Sequence, residues 1–224
     1  MALKKNMSLT RIRSFLGEEL KEQILLEIAP ILHIGQEQGG YFGSSRQILC
    51  FIDFLGSLYV GYDEKKDSKF IKSEGKKRLI SKPGQAIMFI KDFMGEKIDQ
   101  FYKINGEVLY KMYRNGLVHL YQPKSFRRQN GNELRWFAYK GPREKHLEKT
   151  EENGKIIEIK DVRHVAIIPH PEKSHVEYLA VSVNCLYYDL IQAIDIYLAM
   201  LEQDKALQAK FISTANAICD LEKL

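Results

Sequence analysis

The chain has 224 residues, of which 45% are hydrophobic and 28% are charged, and this composition excludes a fibrous protein and a wholly disordered one. Lys and Arg number 34 against 29 Asp and Glu, and the resulting net charge of +5 permits an anionic partner such as nucleic acid without requiring one. No apolar run approaches the roughly 20 residues needed to span a bilayer, and the first residues lack the pattern of a signal peptide. We therefore expect a soluble cytoplasmic protein with no membrane partner.

Cysteine usage agrees with an intracellular setting. Cys50, Cys185 and Cys219 are odd in number, lie in apolar stretches and form no Cys-x-x-Cys pair. Neither a disulfide framework nor a zinc knuckle is therefore predicted.

Two amphipathic helices are predicted at the start of the chain. Apolar residues recur at intervals of three and four from Ser8 onward, and Pro30 is expected to end this first helix. A glycine-rich loop follows. Ser44 or Ser45 then has the side chain to cap a second helix, which is expected to end near Gly61.

The next stretch is polar and then helical again. Residues 63–82 are mostly Lys, Asp, Glu and Ser, which predicts a solvated connector or surface loop. A third helical pattern begins at Pro83 and extends to Phe101, and a fourth is expected after Gly106. Up to about Leu120 the chain is therefore expected to form a helical bundle.

After Pro123 the pattern changes from helical to β. Short segments rich in β-branched and aromatic residues predict an antiparallel sheet of three or four strands. These segments are Leu134–Tyr139, Ile156–Ile159, Val162–Ile168 and Val176–Val183. A last long helix is expected from Asn184. Because the helices on both sides of the sheet need a partner for their apolar faces, we expect one mostly helical α+β domain over residues 1–224, with residues 124–183 as a β-rich insertion.

The stretch RNGLVHLY, residues 114–121, places a fixed cation five residues before a titratable imidazole. RNA cleavage by its own 2′-hydroxyl needs a guanidinium that neutralises charge on the phosphate and a group that exchanges protons near pH 7, and it needs no metal. Arg114 and His119 have these properties. Five residues on a straight helix correspond to roughly 140° of rotation, so the two side chains would diverge unless Gly116 bends the helix or the helix ends nearby.

The same stretch resembles the signature of a known family. Arg114, the polar Asn115, three further residues, His119 and then Tyr121 resemble the R-N-x-x-x-H-x-Y motif of HEPN-domain ribonucleases. The resemblance implies that Arg114 and His119 are the catalytic pair and that Asn115 orients the histidine. Tyr121 matches the position that a nucleotidyltransferase antitoxin adenylylates in some members.

The resemblance covers residues 44–121 and 184–205. It implies a HEPN-like helical bundle and a metal-independent endoribonuclease, without a cofactor, in prokaryotic defence, toxin–antitoxin function or the stress response. The implied partners are RNA and an antitoxin or nucleotidyltransferase. Some members keep the fold for binding alone, so the alternative is a catalytically inactive HEPN-like module that binds RNA, nucleotide or a partner protein. A nucleotide-binding regulator is a third interpretation.

A homodimer is expected because family members join two motifs in one cleft. Two copies of the Arg114 and His119 pair would bring four groups to one RNA backbone. Phe93, Phe101 and Tyr113 are expected to supply much of the apolar contact between the protomers.

Basic residues directly after the motif are the expected RNA-backbone contacts. They are Lys124, Arg127 and Arg128. His164, His170 and His175 match no metal-binding spacing, so structural histidines are favoured over a zinc site.

Overall fold

The structure is a computed structural model that describes residues 3–33, 39–61, 69–73, 76–80, 82–114, 116–117 and 122–220. The helices are α1 (Leu9–Ser14, Phe15–Leu20 and Lys21–Leu32), α2 (Tyr41–Val60), α3 (Lys82–Phe89 and Ile90–Gly95), α4 (Gln100–Leu109 and Tyr110–Arg114), α5 (Val183–Gln203) and α6 (Lys205–Asp220). Three of these helices include a π-helical stretch, which forms the middle part of α1 and the second part of both α3 and α4. The strands are β1 (Lys69–Ser73), β2 (Lys76–Ile80), β3 (Phe126–Arg127), β4 (Glu133–Tyr139), β5 (Glu144–Glu152), β6 (Lys155–Arg163), β7 (Ala166–Pro169) and β8 (Val176–Ser182).

The first two helices form where the periodicity predicts them, but two of their predicted ends are wrong. Pro30 lies inside α1, where it falls in the last turn and its missing N–H removes only one late helical bond. Helix α2 begins three residues before Ser44. Gly40 is its N-cap residue at a φ of +83°, and the Ser44 hydroxyl donates back to the Gly40 carbonyl at 2.9 Å. Gly61, with a φ of +104°, ends α2 as predicted.

The boundary between α3 and α4 differs from the predicted one. Helix α3 ends at Gly95, and the Asp99 side chain accepts a hydrogen bond from the Phe101 amide at 3.0 Å to cap α4. Gly106 is therefore inside α4 and does not precede it. A Cβ atom at Gly106 would lie 2.5 Å from Cγ2 of Ile90, so glycine serves here to let two helices approach closely.

The predicted connector over residues 63–82 contains regular structure. Strands β1 and β2 pair as an antiparallel hairpin, with Lys69 opposite Ile80 and Ser73 opposite Lys76. The prediction of an unstructured segment is wrong because backbone pairing does not need the apolar periodicity that the sequence lacks there.

The β region is more complex than the predicted antiparallel sheet. A four-stranded sheet has the order β3-β4-β8-β7, in which β4 and β8 are parallel, and β5 pairs with β6 in a separate hairpin. Strand β5 was not predicted. The predicted strand Val162–Ile168 is divided between β6 and β7 by a turn in which Val165 has a φ of +57°.

The sheet lies between the helices and the β5–β6 hairpin. One face, which carries Leu134, Leu179 and Val181, joins the core of the helical bundle. The other face, which carries Phe137 and Tyr178, packs with apolar residues of β6 in a second, smaller core. The protein is therefore a mixed α/β structure with more helix than strand. Within the described ranges, none of the helices is both long and apolar enough to cross a bilayer.

Helix α5 begins slightly earlier than predicted. Its cap is Ser182, whose hydroxyl oxygen accepts from the Cys185 amide at 3.3 Å, and not Asn184. The predicted last long helix is divided at Asp204 into α5 and α6.

Candidate active site

Arg114 lies at the C-terminal end of α4 and is held by a carboxylate on α2. Its Nε donates to Oδ2 of Asp53 at 2.7 Å, and the Tyr110 hydroxyl donates to Oδ1 of the same carboxylate at 2.5 Å. Tyr110 and Arg114 begin and end the π-helical stretch of α4. Side chains four residues apart lie on one face of a helix, so Tyr110 and Arg114 both reach Asp53.

The pairing through Nε leaves the outer part of the guanidinium available. Among the described residues, neither terminal nitrogen of Arg114 has a hydrogen-bond partner, and the side chain is 27% exposed. Burial disfavours the charged form, but the hydrogen bond from Arg114 to Asp53 raises the pKa of Arg114 above its ordinary value. The group is therefore a permanent cation that Asp53 orients, and its two terminal nitrogens have no partner among the described residues.

Burial and the charges of Arg114 and Asp53 also shift the pKa values of two neighbouring groups, Tyr110 and Cys50. Burial, with the hydrogen bond to Asp53, raises the pKa of Tyr110, so its hydroxyl keeps its proton and remains a donor. Burial also raises the pKa of the Cys50 thiol, although the positive charges of Arg114 and Arg46 oppose the shift. Cys50 is therefore a neutral thiol beside the guanidinium.

Gly116 lies close to the backbone of residues 122–124. A Cβ atom at Gly116 would lie 2.6 Å from both the Gln122 carbonyl oxygen and the Lys124 amide nitrogen. The Lys124 amide in turn donates to the Met112 carbonyl at 3.0 Å. Gly116 and Leu117 are helical, and Gly116 lies against the backbone of residues 122–124, while the predicted bend or end of the helix falls on residues outside the described ones and stays a prediction.

Arg114 is the motif residue whose geometry is described. Asn115, His119 and Tyr121 lie outside the described residues. The predicted catalytic pair and the predicted support from Asn115 and Tyr121 therefore stay predictions.

The predicted RNA-contact residues are divided between two environments. Arg127 and Arg128 line a groove of about 840 Å³ between α4 and the β3–β4 hairpin, together with Lys111 and Phe126. Arg127 is exposed and has no ion pair in the described structure, whereas Arg128 is paired with Glu177 at 2.8 Å. Lys124 is half-buried and does not line the groove. Arg127 is thus the most available cation of the three.

A second polar cluster is buried where the sheet meets α4 and α5. The Ser182 amide donates to Nδ1 of His164 at 2.9 Å, so Nε2 carries the ring proton and faces the Tyr102 oxygen at 2.7 Å. The Tyr102 hydroxyl then donates to Oδ2 of Asp189 at 2.7 Å. Arg143 completes the chain by donating to Oδ1 of Asp189 at 2.5 Å.

The buried cluster has perturbed acid–base properties. Burial lowers the pKa of His164 and raises that of Tyr102. Burial alone would raise the pKa of Asp189, but the nearby His164, at 3.6 Å, and the hydrogen bonds from Arg143 and Tyr102 lower it overall. Because His164 and Tyr102 are 0% exposed, this cluster cannot reach a substrate and instead fixes the sheet to the helices.

Two histidines of the β region, His164 and His170, are buried and structural, whereas His146 and His175 are exposed. His170 is buried, stacks on Tyr178 and contacts Glu152 at 3.1 Å. Hydrogen bonds from Lys173 and His170 lower the pKa of Glu152 to about 2. No group of three or more His, Cys, Asp or Glu side chains in the described part of the chain could hold a metal ion.

Two of the residues expected at a dimer interface lie in the core of the protomer. Phe93 and Tyr113 are each 0% exposed and belong to the core of the protomer, so the prediction that they contact a second copy is wrong. Phe101 is half-buried, with the Arg163 guanidinium 4.6 Å from its ring centre. Helical periodicity marks an apolar face without showing whether the same chain covers it.

The sequence analysis did not identify Asp53 and Tyr110. Tyr110 precedes Arg114 by one helical turn, so its place on the same face of the helix could have been inferred from the sequence. Asp53 comes from another helix, 61 residues away in the chain, and no local pattern marks it.

Comparison with protein-family models, curated proteins and solved structures finds no match for the chain.

Proposed function

We propose that the chain is a metal-independent endoribonuclease of HEPN type, which acts as a homodimer in prokaryotic defence, toxin–antitoxin function or the stress response. In this proposal Arg114 stabilises the negative charge that grows on the scissile phosphate. His119 exchanges the proton with the attacking or leaving oxygen, and Asn115 orients it. Tyr121 supports the site or is its point of modification.

The observation that carries the proposal is the anchoring of Arg114 through Nε. A purely structural Arg–carboxylate pair commonly uses two guanidinium nitrogens on one carboxylate. Here one carboxylate oxygen of Asp53 accepts from Nε of Arg114, and the other oxygen accepts from the Tyr110 hydroxyl. The free terminal nitrogens have the fork geometry that matches two phosphate oxygens, and their orientation is fixed before a ligand arrives.

The groove beside α4 supports an RNA substrate. Arg127, which has no ion pair among the described residues, offers a cation to a phosphate, whereas Lys111 on the other wall is paired with Glu107 at 2.6 Å. Phe126 lines the same groove and is half-buried, so part of its ring is available to stack on a base. Lys124 lies in the chain between this groove and the motif and is proposed to contact the backbone there.

The proposal is tested by RNA cleavage with matched variants. The purified protein is incubated with end-labelled single-stranded RNA in EDTA, and wild type is compared with His119→Ala and Arg114→Ala. The controls are His146→Ala, a histidine whose side chain is 86% exposed, and Arg13→Ala, an arginine with one surface ion pair to Glu202.

Each test substitution should lower the cleavage rate strongly, while the controls should leave it unchanged. Loss of a general acid–base typically costs about 10²–10⁴-fold, and loss of a preorganised charge-stabilising contact about 10²–10³-fold. Cleavage by His119→Ala at the wild-type rate would contradict the enzyme. RNA binding without cleavage by any form would favour the inactive binding module.

A further inference from the structure

Strand β4 has one edge that is only partly paired. On one side β8 pairs with β4 along its whole length, from Glu133 to Tyr139. On the other side β3 pairs with β4 only at Glu133 and Leu134. Within the described structure, the remainder of that edge, from Trp136 onward, has no neighbouring strand.

The alternation of the strand shows which backbone groups face the open side. The Glu133 amide donates to the His175 carbonyl on the β8 side at 2.9 Å. Successive residues of a strand point their N–H and C=O groups in opposite directions, so Leu134, Trp136 and Ala138 face away from β8. Among the described residues, the N–H and C=O groups of Trp136 and Ala138 have no partner.

These groups lie at the back of a slot. A cavity of about 690 Å³ runs along Trp136–Tyr139, with Tyr41 and Phe42 at the start of α2 on one wall and Leu147 of β5 on the other. Strand β5 also pairs on one side only in the described structure, with β6. The α2 wall is thus aromatic, the β5 wall carries Leu147 among charged and polar residues, and the backbone groups of Trp136 and Ala138 between them have no partner in the described structure.

The shape of the slot favours a single extended chain. A single extended strand brings only its own backbone and side chains between the flanking residues, whereas the sheet edge of a second folded copy brings its neighbouring strands with it. At about 3.3 Å per residue, the open stretch of β4 accommodates a short strand of roughly four residues. The alternating side chains of such a strand would face Tyr41 and Phe42 in one direction and Leu147 in the other.

The charges in the slot favour one basic residue in the occupant. Lys145 is paired with Glu148 at 2.7 Å and Lys149 with Glu158 at 3.1 Å. Glu151 has no ion pair in the described structure. The contact of its neighbour Glu152 with Arg135 places this end of β5 beside the start of the open edge.

We propose that the slot binds an extended peptide, which adds a strand to the open edge of β4 and places a basic residue beside Glu151. The peptide carries apolar or β-branched residues at alternate positions. This binding site is separate from the Arg114 site and does not rest on the proposed ribonuclease activity.

Intrinsic fluorescence provides a local assay, because Trp136 is the one tryptophan of the chain and lines the slot. The probe is the hexapeptide Arg-Val-Thr-Val-Thr-Val with both ends capped. Two further versions carry N-methyl groups on the amides of the valines or of the threonines, which removes one of the two alternating sets of donors. Saturable binding is expected for the unmethylated peptide. At least one methylated set should weaken it tenfold or more.

Two protein variants test the same contacts from the other side. Ala138→Pro removes a donor from the edge, where proline is tolerated because no strand bond is lost, and it should weaken binding tenfold or more. Glu151→Lys should weaken it about three- to tenfold, while Glu22→Lys on the exposed face of α1 should not.

Several results would overturn the proposal. These are the absence of saturable binding, equal binding of all three peptides, and unchanged binding by an Ala138→Pro variant whose circular dichroism is that of wild type. A shift of wild type to dimer that Ala138→Pro abolishes, with no peptide binding, would show instead that a second copy occupies the edge.

Discussion

Replacing Tyr102 by Phe should destabilise the fold by removing one oxygen from the buried polar cluster. That oxygen joins Nε2 of His164 and Oδ2 of Asp189, each at 2.7 Å. All three residues are at most 2% exposed, so bulk solvent does not reach the position of this oxygen. The ring itself is kept, so the substitution isolates the two hydrogen bonds.

The expected cost follows from what the two partners lose. A hydrogen bond to a charged group contributes about 1.5–3 kcal/mol, and a buried donor left unpaired costs about 1–3 kcal/mol more. Nε2 of His164 lies 3.6 Å from Oδ2 of Asp189, so a small movement restores part of the loss by a direct contact. We therefore expect the free energy of unfolding to fall by about 2–4 kcal/mol.

The measurement is urea unfolding followed by circular dichroism, with Tyr188→Phe as the control. Tyr188 is 64% exposed, so loss of its hydroxyl should change the free energy of unfolding by less than about 0.5 kcal/mol. If Tyr102→Phe were as stable as this control, the cluster would not be what joins the sheet to the helices.

The same cluster predicts how stability depends on pH. Burial lowers the pKa of folded His164, so below about pH 6.5 the unfolded chain takes up a proton that the folded chain does not. Stability should therefore fall as the pH falls from about 6.5 toward the folded-state pKa, by up to about 1.4 kcal/mol per pH unit. Urea unfolding at a series of pH values measures this slope. The contribution should be absent in His164→Gln, and an equal slope in that variant would refute the assignment.

Three further substitutions test the candidate site. Asp53→Asn should lower kcat for RNA cleavage about 10- to 100-fold, with a smaller effect on KM, because Arg114 loses its orientation. An increase in KM with an unchanged kcat would contradict this prediction. Arg127→Ala should reduce the slope of log K against log salt by about 0.7 in RNA-binding titrations, and an unchanged slope would remove Arg127 from the interface. Gly116→Ala should cost about 1–3 kcal/mol of unfolding free energy by forcing the backbone apart, while Gly43→Ala, where a Cβ atom would meet nothing within 4 Å, should cost none.

The sequence predicted elements whose side chains carry a strong local pattern. Strand β4 was found almost to the residue because it contains a short run of apolar and aromatic residues. Strand β5 was missed because it is mostly charged, with Leu147 as its one large apolar residue. Its place depends on pairing with β6, which is a property of the backbone.

Tertiary contacts account for the other differences. The parallel pairing of β4 with β8 depends on the path of the chain between them, which no short window of sequence contains. Gly106 looked like a helix start and is instead the point where Ile90 of α3 approaches α4. The motif identified Arg114, but its partner Asp53 becomes visible only when α2 and α4 lie side by side.

The most direct test of the proposed chemistry is the identity of the RNA ends that wild type leaves in EDTA. Attack by the 2′-hydroxyl, with His119 exchanging the proton and Arg114 holding the phosphate, predicts a 2′,3′-cyclic phosphate and a 5′-hydroxyl. These ends are distinguished by phosphatase and kinase treatment of the labelled fragments. Fragments with 3′-hydroxyl and 5′-phosphate ends, or loss of wild-type cleavage on chelation, would contradict the mechanism.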